Sequence, residues 1–257
     1  MRMRPPLPLV VDGLKLRFGG LIALDTVSFR IEPGEMLALI GPNGAGKTSI
    51  INCLTGAYIP QQGTIRLGDQ ALGGGLKAAR LGVARTFQNL GLFENLNVVD
   101  NILLGRHLLM RTGFITGALW WGRAKREEVE HRERVEEVIE FLELERHRHQ
   151  TVGLLPYGIQ KRVELGRAIA AEPRLLLLDE PATGMNLEEV RDIARYLVEL
   201  RGRFELSVLL VEHDMKLVMD LADRVMVLDF GRRIALGPPG EVQRDERVIA
   251  AYLGVPT

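Results

Sequence analysis

The segment GPNGAGKT, residues 41–48, constrains the fold of this chain more than any other feature of its sequence. It follows MLALI (36–40), a short apolar run of the kind that forms a parallel strand buried on both faces. It leads into KTSIINCLTG, where Ile50, Ile51 and Leu54 share one helical face. The order of strand, glycine-rich loop and helix predicts an α/β core built on a parallel sheet.

The same eight residues match the pattern GxxxxGK[ST], whose chemistry is phosphate binding. Glycines allow backbone N–H groups to surround phosphate oxygens, Lys47 adds a positive charge toward the β- and γ-phosphates, and the Thr48 hydroxyl can ligate Mg²⁺. An ordinary glycine turn is the alternative, and the flanking strand and helix argue against it. The predicted nucleotide-binding residues of this segment are Gly41, Pro42, Asn43, Gly44, Ala45, Gly46, Lys47, Thr48 and Ser49.

A second apolar run, LLLLDE, ends in two adjacent carboxylates, Asp179 and Glu180. Burying both would be costly unless a positive charge met them. A Mg²⁺ ion held by the phosphates could supply that charge, with Asp179 orienting the ion through its water shell. Glu180 would then position and polarise the attacking water, as a general base or a water anchor. Two exposed acids at a strand end are the alternative.

Composition limits the class of protein. With 257 residues and 46% hydrophobic residues, the chain can bury a large core without disulfides. Lys plus Arg and Asp plus Glu both number 33, so no cationic field favours nucleic acid as a partner. The single cysteine, Cys53, lies in an apolar run and is interpreted as a small buried hydrophobe in a reducing cytosol.

The sequence predicts no membrane span. No apolar run approaches the roughly 18 residues that a spanning helix needs, and prolines interrupt the opening MRMRPPLPLV before a signal-type core forms. We therefore expect a chain that is neither exported nor embedded. The segment FITGALWW (114–121) is interpreted as a packed helix or an insertion, with a membrane-surface anchor as the alternative.

Residues 27–32, VSFRIE, alternate apolar and polar side chains and predict a strand with one buried face. The pattern of residues 89–163 instead predicts a mainly helical section. One predicted helix there has a stripe of apolar side chains, formed by Val135, Val138, Ile139 and Leu142. It also offers two ion pairs at i,i+4 spacing, Glu128 with Arg132 and Glu130 with Arg134. We assign the charged face no chemistry, because such faces are usually solvated.

From residue 174 strand patterns return in RLLLLDE, SVLLVEH and RVMVLDFGRRIALG, with a helical pattern between the first two. This alternation predicts a parallel sheet. His213 ends the second of these runs, and Gln88 lies in RTFQNLG at the start of the helical section. Considered alone, His213 is ordinarily a structural histidine, and Gln88 carries no signal of its own.

Five elements in this order resemble the ATP-binding subunits of ABC transporters. GPNGAGKT is similar to the family's Walker A motif, LLLLDEP to its Walker B motif, Gln88 to its Q-loop glutamine and His213 to its switch histidine. LPYGI, residues 155–159, stands where the family has its signature motif. The resemblance covers nearly the whole chain and implies that ATP and Mg²⁺ are the cofactors.

The resemblance implies an α/β fold of the P-loop NTPase class, with a RecA-like core, an antiparallel β subdomain and an inserted helical subdomain. Residues 1–257 would form one ABC ATPase domain, with residues 1–88 and 164–257 as nucleotide-binding core and β subdomain. Residues 89–163 would form the helical subdomain. The implied catalytic residues are Lys47, Glu180 and His213. The residues expected around the metal are Thr48, Gln88 and Asp179.

Phe18, in LRFGG, occupies the place of the aromatic residue that stacks on adenine in the family. A core position on a strand is an equally good interpretation of this phenylalanine. Stacking requires an exposed ring face, which the sequence alone cannot establish.

The signature motif departs from the family's usual form. In the family it contacts the γ-phosphate held by the other subunit's P-loop. Here Pro156 replaces the serine, Tyr157 the first glycine and Ile159 the final glutamine, while Gly158 is retained. Asn186, in PATGMN, stands where the family's D-loop has an aspartate. These departures predict a less efficient site on the neighbouring subunit.

Within the family, RFGGLIALD, the segment around GFITGALWWG and RVIAAYLG look most like an ATP-binding subunit of a branched-chain amino-acid importer. Such a subunit pairs with a second ABC ATPase beneath two membrane permease subunits, and an importer also has an external substrate-binding protein. The expected location is cytoplasmic, peripheral on the inner face of the cell membrane.

Other functions share these motifs. ATPases of lipid or lipopolysaccharide exporters and of urea or amide importers are alternatives. A soluble ABC-type ATPase acting on ribosomes or DNA is disfavoured by the single ATPase unit and the absence of net positive charge. A nucleotide-dependent module without hydrolysis is disfavoured because Lys47, Thr48, Asp179, Glu180 and His213 are all present.

Overall fold

The computed structural model describes residues 1, 3–86, 90–110 and 123–253. Its strands are β1 (Leu9–Phe18), β2 (Leu21–Ile31), β3 (Met36–Ile40), β4 (Gln62–Leu67), β5 (Gln70–Ala71), β6 (Val83–Arg85), β7 (Leu175–Asp179), β8 (Ser207–Val211), β9 (Arg224–Asp229) and β10 (Arg232–Gly237). Its α-helices are α1 (Lys47–Leu54), α2 (Gly75–Leu81), α3 (Val98–Leu104), α4 (Arg123–Phe141), α5 (Tyr157–Ala170), α6 (Leu187–Phe204), α7 (Met215–Leu221), α8 (Pro239–Val242) and α9 (Glu246–Leu253).

A six-stranded sheet forms the centre of the fold, in the order β10-β9-β3-β8-β7-β6. Its strands are parallel except β10, which pairs antiparallel with β9. Every residue of β3, β7 and β8 is buried, because both faces of the sheet are covered. Side-chain alternation sends Leu175 and Leu177 of β7 into one core and Leu176 and Leu178 into another.

A second sheet, antiparallel and four-stranded in the order β2-β1-β4-β5, packs with α1 over one face of the central sheet. The alternation predicted for residues 27–32 is confirmed, since Val27, Phe29 and Ile31 of β2 are buried. Cys53 of α1 is also buried, as predicted, and burial raises the pKa of its thiol to about 11. A thiol with a raised pKa is a poor nucleophile at neutral pH, so Cys53 serves packing.

Helices α3, α4 and α5 pack against one another and against the other face of the central sheet. The predicted apolar stripe is confirmed, with Val135, Val138, Ile139 and Leu142 all buried. Arg132 pairs with Glu128 at 3.1 Å, as predicted. The predicted pair of Glu130 and Arg134 is wrong, because Arg134 bonds both carboxylate oxygens of Glu137 instead, at 2.9 and 3.0 Å. Glu137, three residues along the helix, gives Arg134 this two-oxygen contact.

The predicted fold class is confirmed by this combination of a mostly parallel core sheet, an antiparallel sheet and a helical section. The boundaries at residues 88 and 163 stay predictions, and α5 runs through the second of them. The apolar segment 114–121 lies outside the described residues. Within the described ranges, no helix combines the length and the apolar character needed to cross a membrane.

Candidate functional site

The loop between β3 and α1 can form only with glycine at two positions. Gly41 has φ of 146°, and a Cβ built on it would overlap the carbonyl oxygen of Leu228 in β9. Gly46 has φ of 105°, and a Cβ there would lie 2.7 Å from the carbonyl oxygen of Ala23. Both values lie in the left-handed region that favours glycine. The local sequence therefore fixes a tight loop at the N-terminus of α1, a position that favours anion binding.

Lys47 is the first residue of α1, and its ammonium lies over the loop. Its Nζ donates to the carbonyl oxygens of Gly41, at 2.6 Å, and Pro42, at 3.0 Å. Burial lowers the pKa of Lys47, and the carboxylates of Glu180 and Asp179 oppose that shift. The cation is thus held beside the loop and within electrostatic range of both acids. Asn43, Gly44 and Thr48 are exposed, and Ser49 is half-buried.

Strand order brings the predicted groups to one edge of the central sheet. Strands β3, β8 and β7 are adjacent and parallel. The loop at Gly41 follows β3, His213 lies just beyond β8, and Asp179 and Glu180 end β7. Since the carboxyl ends of parallel strands share an edge, these groups lie at the same edge of the sheet, where open α/β sheets bind ligands.

Asp179 forms a salt bridge with Arg85, a partner that the sequence did not reveal. Its carboxylate is buried, and Oδ2 accepts a hydrogen bond of 2.7 Å from Nη2 of Arg85, the last residue of β6. Arg85 Nη1 donates to Asn52 Oδ1 of α1, also at 2.7 Å. The positive charge that a buried Asp179 requires is therefore supplied within the chain by Arg85, and the contact of Asp179 with Mg²⁺ stays a prediction.

Glu180 begins a turn whose backbone is strained. Its φ of 51° is unusual for a residue other than glycine. Its N–H donates to Val211 O of β8 at 2.9 Å. Thr183 donates two hydrogen bonds to Glu180, from Thr183 N to Glu180 O at 3.2 Å and from Thr183 Oγ1 to Glu180 Oε2 at 3.3 Å. These bonds hold the carboxylate at the end of β7.

Glu212, which precedes His213, was not predicted as part of the site. The residue is 2% exposed, and its two carboxylate oxygens accept from Ala182 N at 2.9 Å and from His213 N at 3.1 Å. This carboxylate therefore joins the segment after β7 to the segment after β8. The His213 side chain is 67% exposed and so is open to a ligand, and its role as the switch histidine stays a prediction.

Phe18 ends β1, and its ring is not part of the core. The residue is 46% exposed, and its ring meets that of Tyr58 edge to face, with centroids 5.1 Å apart. The interpretation of Phe18 as a core strand residue is therefore wrong. An exposed face supported by a second aromatic ring is the geometry that stacking on a base requires.

The signature segment lies at the start of α5. Pro156 is the N-cap, without a side-chain capping bond, and Tyr157 is the first helical residue. Pro156 and Tyr157 are exposed, Gly158 is buried and Ile159 packs partly against the core of the helical section. The motif thus places a helix N-terminus at the surface.

Asn186 caps α6. Its Oδ1 accepts from the N–H groups of Glu188 and Glu189, both at 3.0 Å, and Asn186 N donates to Glu189 Oε2 at 2.9 Å. This capping box was readable from the sequence as Asn-x-x-Glu before an amphipathic helix. Gln88 lies outside the described residues.

Tyr252, near the end of α9, contacts the backbone of Gly41, which the sequence did not indicate. Burial raises the pKa of Tyr252, and a hydrogen bond with the backbone of Gly41 opposes that shift. Val248 of the same helix is buried in a core that includes Ile40, the last residue of β3. The C-terminal helix therefore supports the start of the glycine loop.

This fold, with a glycine loop, a lysine and paired carboxylates at one sheet edge, defines the class of P-loop nucleoside triphosphatases. Comparison with known proteins narrows the class. A family model described as ABC transporter matches residues 24–183. A second, described as Branched-chain amino acid ATP-binding cassette transporter, matches residues 232–256.

Individual relatives match over nearly the whole chain. The high-affinity branched-chain amino acid transport ATP-binding protein LivG of Escherichia coli (strain K12) is 43% identical, covering 98% of this chain and 99% of its own length. BraF of Pseudomonas aeruginosa, described in the same words, is 42% identical over 96% and 97%. The solved ADP conformation of MJ1267, an ATP-binding cassette of an ABC transporter, aligns over 99% of both chains with a TM-score of 0.82 and 28% identity. The chain belongs to the ABC transporter family and is an ATPase.

Proposed function

We propose that this chain binds and hydrolyses ATP to power import of branched-chain amino acids through an ABC transporter. The observation that carries the ATPase chemistry is the meeting of the glycine loop, the Asp179–Glu180 pair and His213 at one sheet edge. The proposed cargo is supported by the 43% identity to LivG and by the match of residues 232–256 to the branched-chain family model.

In the proposed mechanism, backbone N–H groups of residues 43–49 and the Lys47 ammonium bind the triphosphate, and Phe18 stacks on adenine. Glu180 orients and polarises the water that attacks the γ-phosphorus. His213, exposed beside that position, contacts the γ-phosphate and stabilises the developing charge.

Magnesium fits the donor set. The hydroxyl of Thr48 and the carboxylate of Asp179 are oxygen donors of the kind that Mg²⁺ takes. The described residues contain no cluster of three or more His, Cys, Asp or Glu side chains that could cage a metal. Most ligands would therefore be phosphate oxygens and waters, with Gln88 as a further contact. Bound magnesium would supply charge neutralisation of the phosphates.

Two subunits would share each nucleotide. The α5 N-terminus, with the N–H groups of Tyr157 and Gly158, is proposed to face the γ-phosphate on a second ABC ATPase, identical or different. Asn186 would lie at the same junction. The pair would bind two membrane permease subunits from the inner face of the cell membrane, and an external substrate-binding protein would deliver the cargo.

Glu180→Gln tests the proposed chemistry. The substitution removes the anionic base but keeps the side-chain volume, so ATP binding should persist while turnover falls by roughly 10²- to 10⁴-fold. The paired state should accumulate with ATP and be visible by light scattering. Glu199→Gln is the matched control, because this α6 side chain is 40% exposed and pairs with Arg203; it should leave turnover unchanged. Near-full hydrolysis by Glu180→Gln would remove Glu180 from its proposed role.

The cargo is tested in proteoliposomes that contain the copurified permease subunits, this chain and the substrate-binding protein. Labelled leucine, isoleucine and valine should enter in an ATP-dependent manner, and urea or a lipid should not be moved. ATP-dependent movement of either competing cargo, without amino-acid uptake, would overturn the proposed cargo and leave the ATPase assignment intact.

A further inference from the structure

The side chain of Tyr157 links the signature segment to the turn that follows β7 in the same chain. Its hydroxyl donates to the carbonyl oxygen of Thr183 at 3.3 Å. Its ring lies against Gly184, where a Cβ would come within 3.2 Å of Tyr157 Cε1. Gly184 also has φ of 80°, a value that favours glycine. A side chain at position 184 would therefore strain the backbone and crowd the Tyr157 ring. This contact exists because a tyrosine stands where the family's signature has glycine.

A second contact fixes the same junction. A Cβ built on Gly158 would overlap the carboxylate of Glu189, which closes the capping box of Asn186. The start of α5 therefore packs directly on the start of α6. The segment 183–186 between them is held at one end by Tyr157 and at the other by the α6 cap.

Thr183 connects this junction to Glu180. While its carbonyl accepts from Tyr157, its hydroxyl donates to Glu180 Oε2 and its N–H to Glu180 O. A hydroxyl donor on one carboxylate oxygen fixes the orientation of the other. Glu180 has φ of 51°, a strained backbone conformation that surrounding contacts such as the Thr183 bonds must hold in place. A continuous chain of hydrogen bonds thus runs from Tyr157 through Thr183 to Glu180.

We infer that Tyr157 and Thr183 are positioning residues that couple the signature segment to Glu180 within one subunit. When the α5 N-terminus meets the neighbour's triphosphate, Tyr157 moves with the helix and shifts the Thr183 carbonyl. The Thr183 hydroxyl then sets the Glu180 carboxylate in line with its own nucleotide. Closure of the neighbour's site thereby prepares hydrolysis in this chain's site. The inference rests on the proposed role of Glu180.

The test uses the assembled transporter with only the Glu180 site active. The partner ATPase carries glutamine in place of its corresponding glutamate; if the partner is a second copy, differently tagged copies are copurified. Tyr157→Phe and Thr183→Val each remove one hydroxyl with little change in shape. Each should lower kcat about tenfold, the size expected for one hydrogen bond to or near a charged group, with KM for ATP unchanged within about twofold. Tyr157 lies outside the site being measured, so the kcat effect reports coupling.

Three further variants separate positioning from folding. The double variant should lose no more than the larger single loss, because both hydroxyls act in one chain. Thr183→Ser keeps the hydroxyl and should retain kcat. Tyr196→Phe is the matched control, since its hydroxyl also donates to a backbone carbonyl at 3.3 Å, that of Leu142, away from this junction; it should leave kcat unchanged.

Full kcat in Tyr157→Phe, additive losses in the double variant, or effects confined to KM would each overturn the inference. Its failure is distinguishable from failure of the proposed function. Hydrolysis that survives Glu180→Gln would overturn the role of Glu180 and this coupling together. Hydrolysis lost in Glu180→Gln but complete in Tyr157→Phe and Thr183→Val would overturn the coupling alone.

Discussion

The Lys47 ammonium is held in position by the glycine loop before any ligand binds. The ammonium is already oriented by the carbonyl oxygens of Gly41 and Pro42, which are neutral acceptors. Phosphate oxygens are charged acceptors, so they add a Coulomb attraction for the ammonium that a neutral carbonyl lacks. Exchange of carbonyls for phosphate therefore favours binding with little rearrangement of the side chain.

Phe18 gives a prediction at this scale. Phe18→Ala should weaken ATP affinity by ~1–3 kcal/mol, about 5- to 150-fold in Kd, because a base stacked on an aromatic ring loses that contact. Titration of the purified chain with a fluorescent ATP analogue measures the change. Phe93→Ala, an exposed phenylalanine of the helical section, is the control and should keep the original affinity. Equal affinity in Phe18→Ala would show that adenine binds elsewhere.

Among the elements, α5 is the one that we expect to limit activity, because its N-cap is a proline without a hydroxyl. Pro156→Ser should raise hydrolysis at the partner's site by roughly tenfold to a hundredfold in the assembled complex. The serine can donate one charge-assisted hydrogen bond to the neighbour's phosphate, worth about 1.5–3 kcal/mol.

Pro156→Ser adds both a hydroxyl and a backbone N–H. Pro156→Ala restores the backbone N–H alone, so the difference between the two variants measures the effect of the hydroxyl. Turnover at the partner's site, with Glu180→Gln in this chain, isolates the effect. No change or a fall in Pro156→Ser would contradict a site limited by this position.

Helices α3, α4 and α5 meet at a buried arginine. Arg106 Nε donates to His131 Nδ1 at 2.8 Å, and Nη1 donates to Ala170 O and to Glu172 Oε1, both at 3.0 Å. Burial and the adjacent Arg106 lower the pKa of His131, while Glu127 and Glu130 oppose the shift. The neutral ring therefore accepts the arginine bond, which joins the segment after α3 to α4.

This arrangement predicts how stability depends on pH. Because the pKa of His131 is lowered on folding, the unfolded chain binds more protons below about pH 6.5, its unfolded pKa. The free energy of unfolding should therefore fall as pH drops from 7.5 to 5.5, and less steeply in His131→Gln. Urea unfolding at both pH values measures this, with the exposed His149→Gln as control. An identical pH dependence in wild type and His131→Gln would contradict this account.

Elements were predictable where the signal is local. The apolar runs of β3, β7 and β8, the glycine loop and the stripe of α4 each depend on neighbouring residues, and all were found. The contacts that complete the site are not local. Arg85 and Asp179 are 94 residues apart and meet because β6 lies beside β7. Strand order decides that partner, and no spacing rule in the sequence contains it.

Pair choice within one helix was also beyond the sequence. Arg134 could reach Glu130 or Glu137, and only side-chain geometry selected Glu137. The bond from Tyr157 to Thr183 joins residues 26 apart across two loops. Tyr157 was recognised as a departure from the signature, but its contact could not be derived without the packing of α5 on α6.

At the scale of the whole molecule, the chain is proposed to take part in two nucleotide sites. The sheet edge carries the loop, Lys47 and Glu180, whereas the positive end of α5 would face the nucleotide of a second subunit. In this proposal one subunit supplies half of each of two sites, and hydrolysis requires pairing. Nucleotide that binds the paired state preferentially would also stabilise it.

The most direct test of this account is the rate of ATP hydrolysis per subunit, measured on the purified chain as a monomer and on the assembled transporter. The account predicts that both bind ATP and that only the paired ATPases hydrolyse it rapidly. Light scattering establishes the state in each sample. A chain without affinity for ATP, or a monomer that hydrolyses ATP at the rate of the assembled transporter, would contradict it.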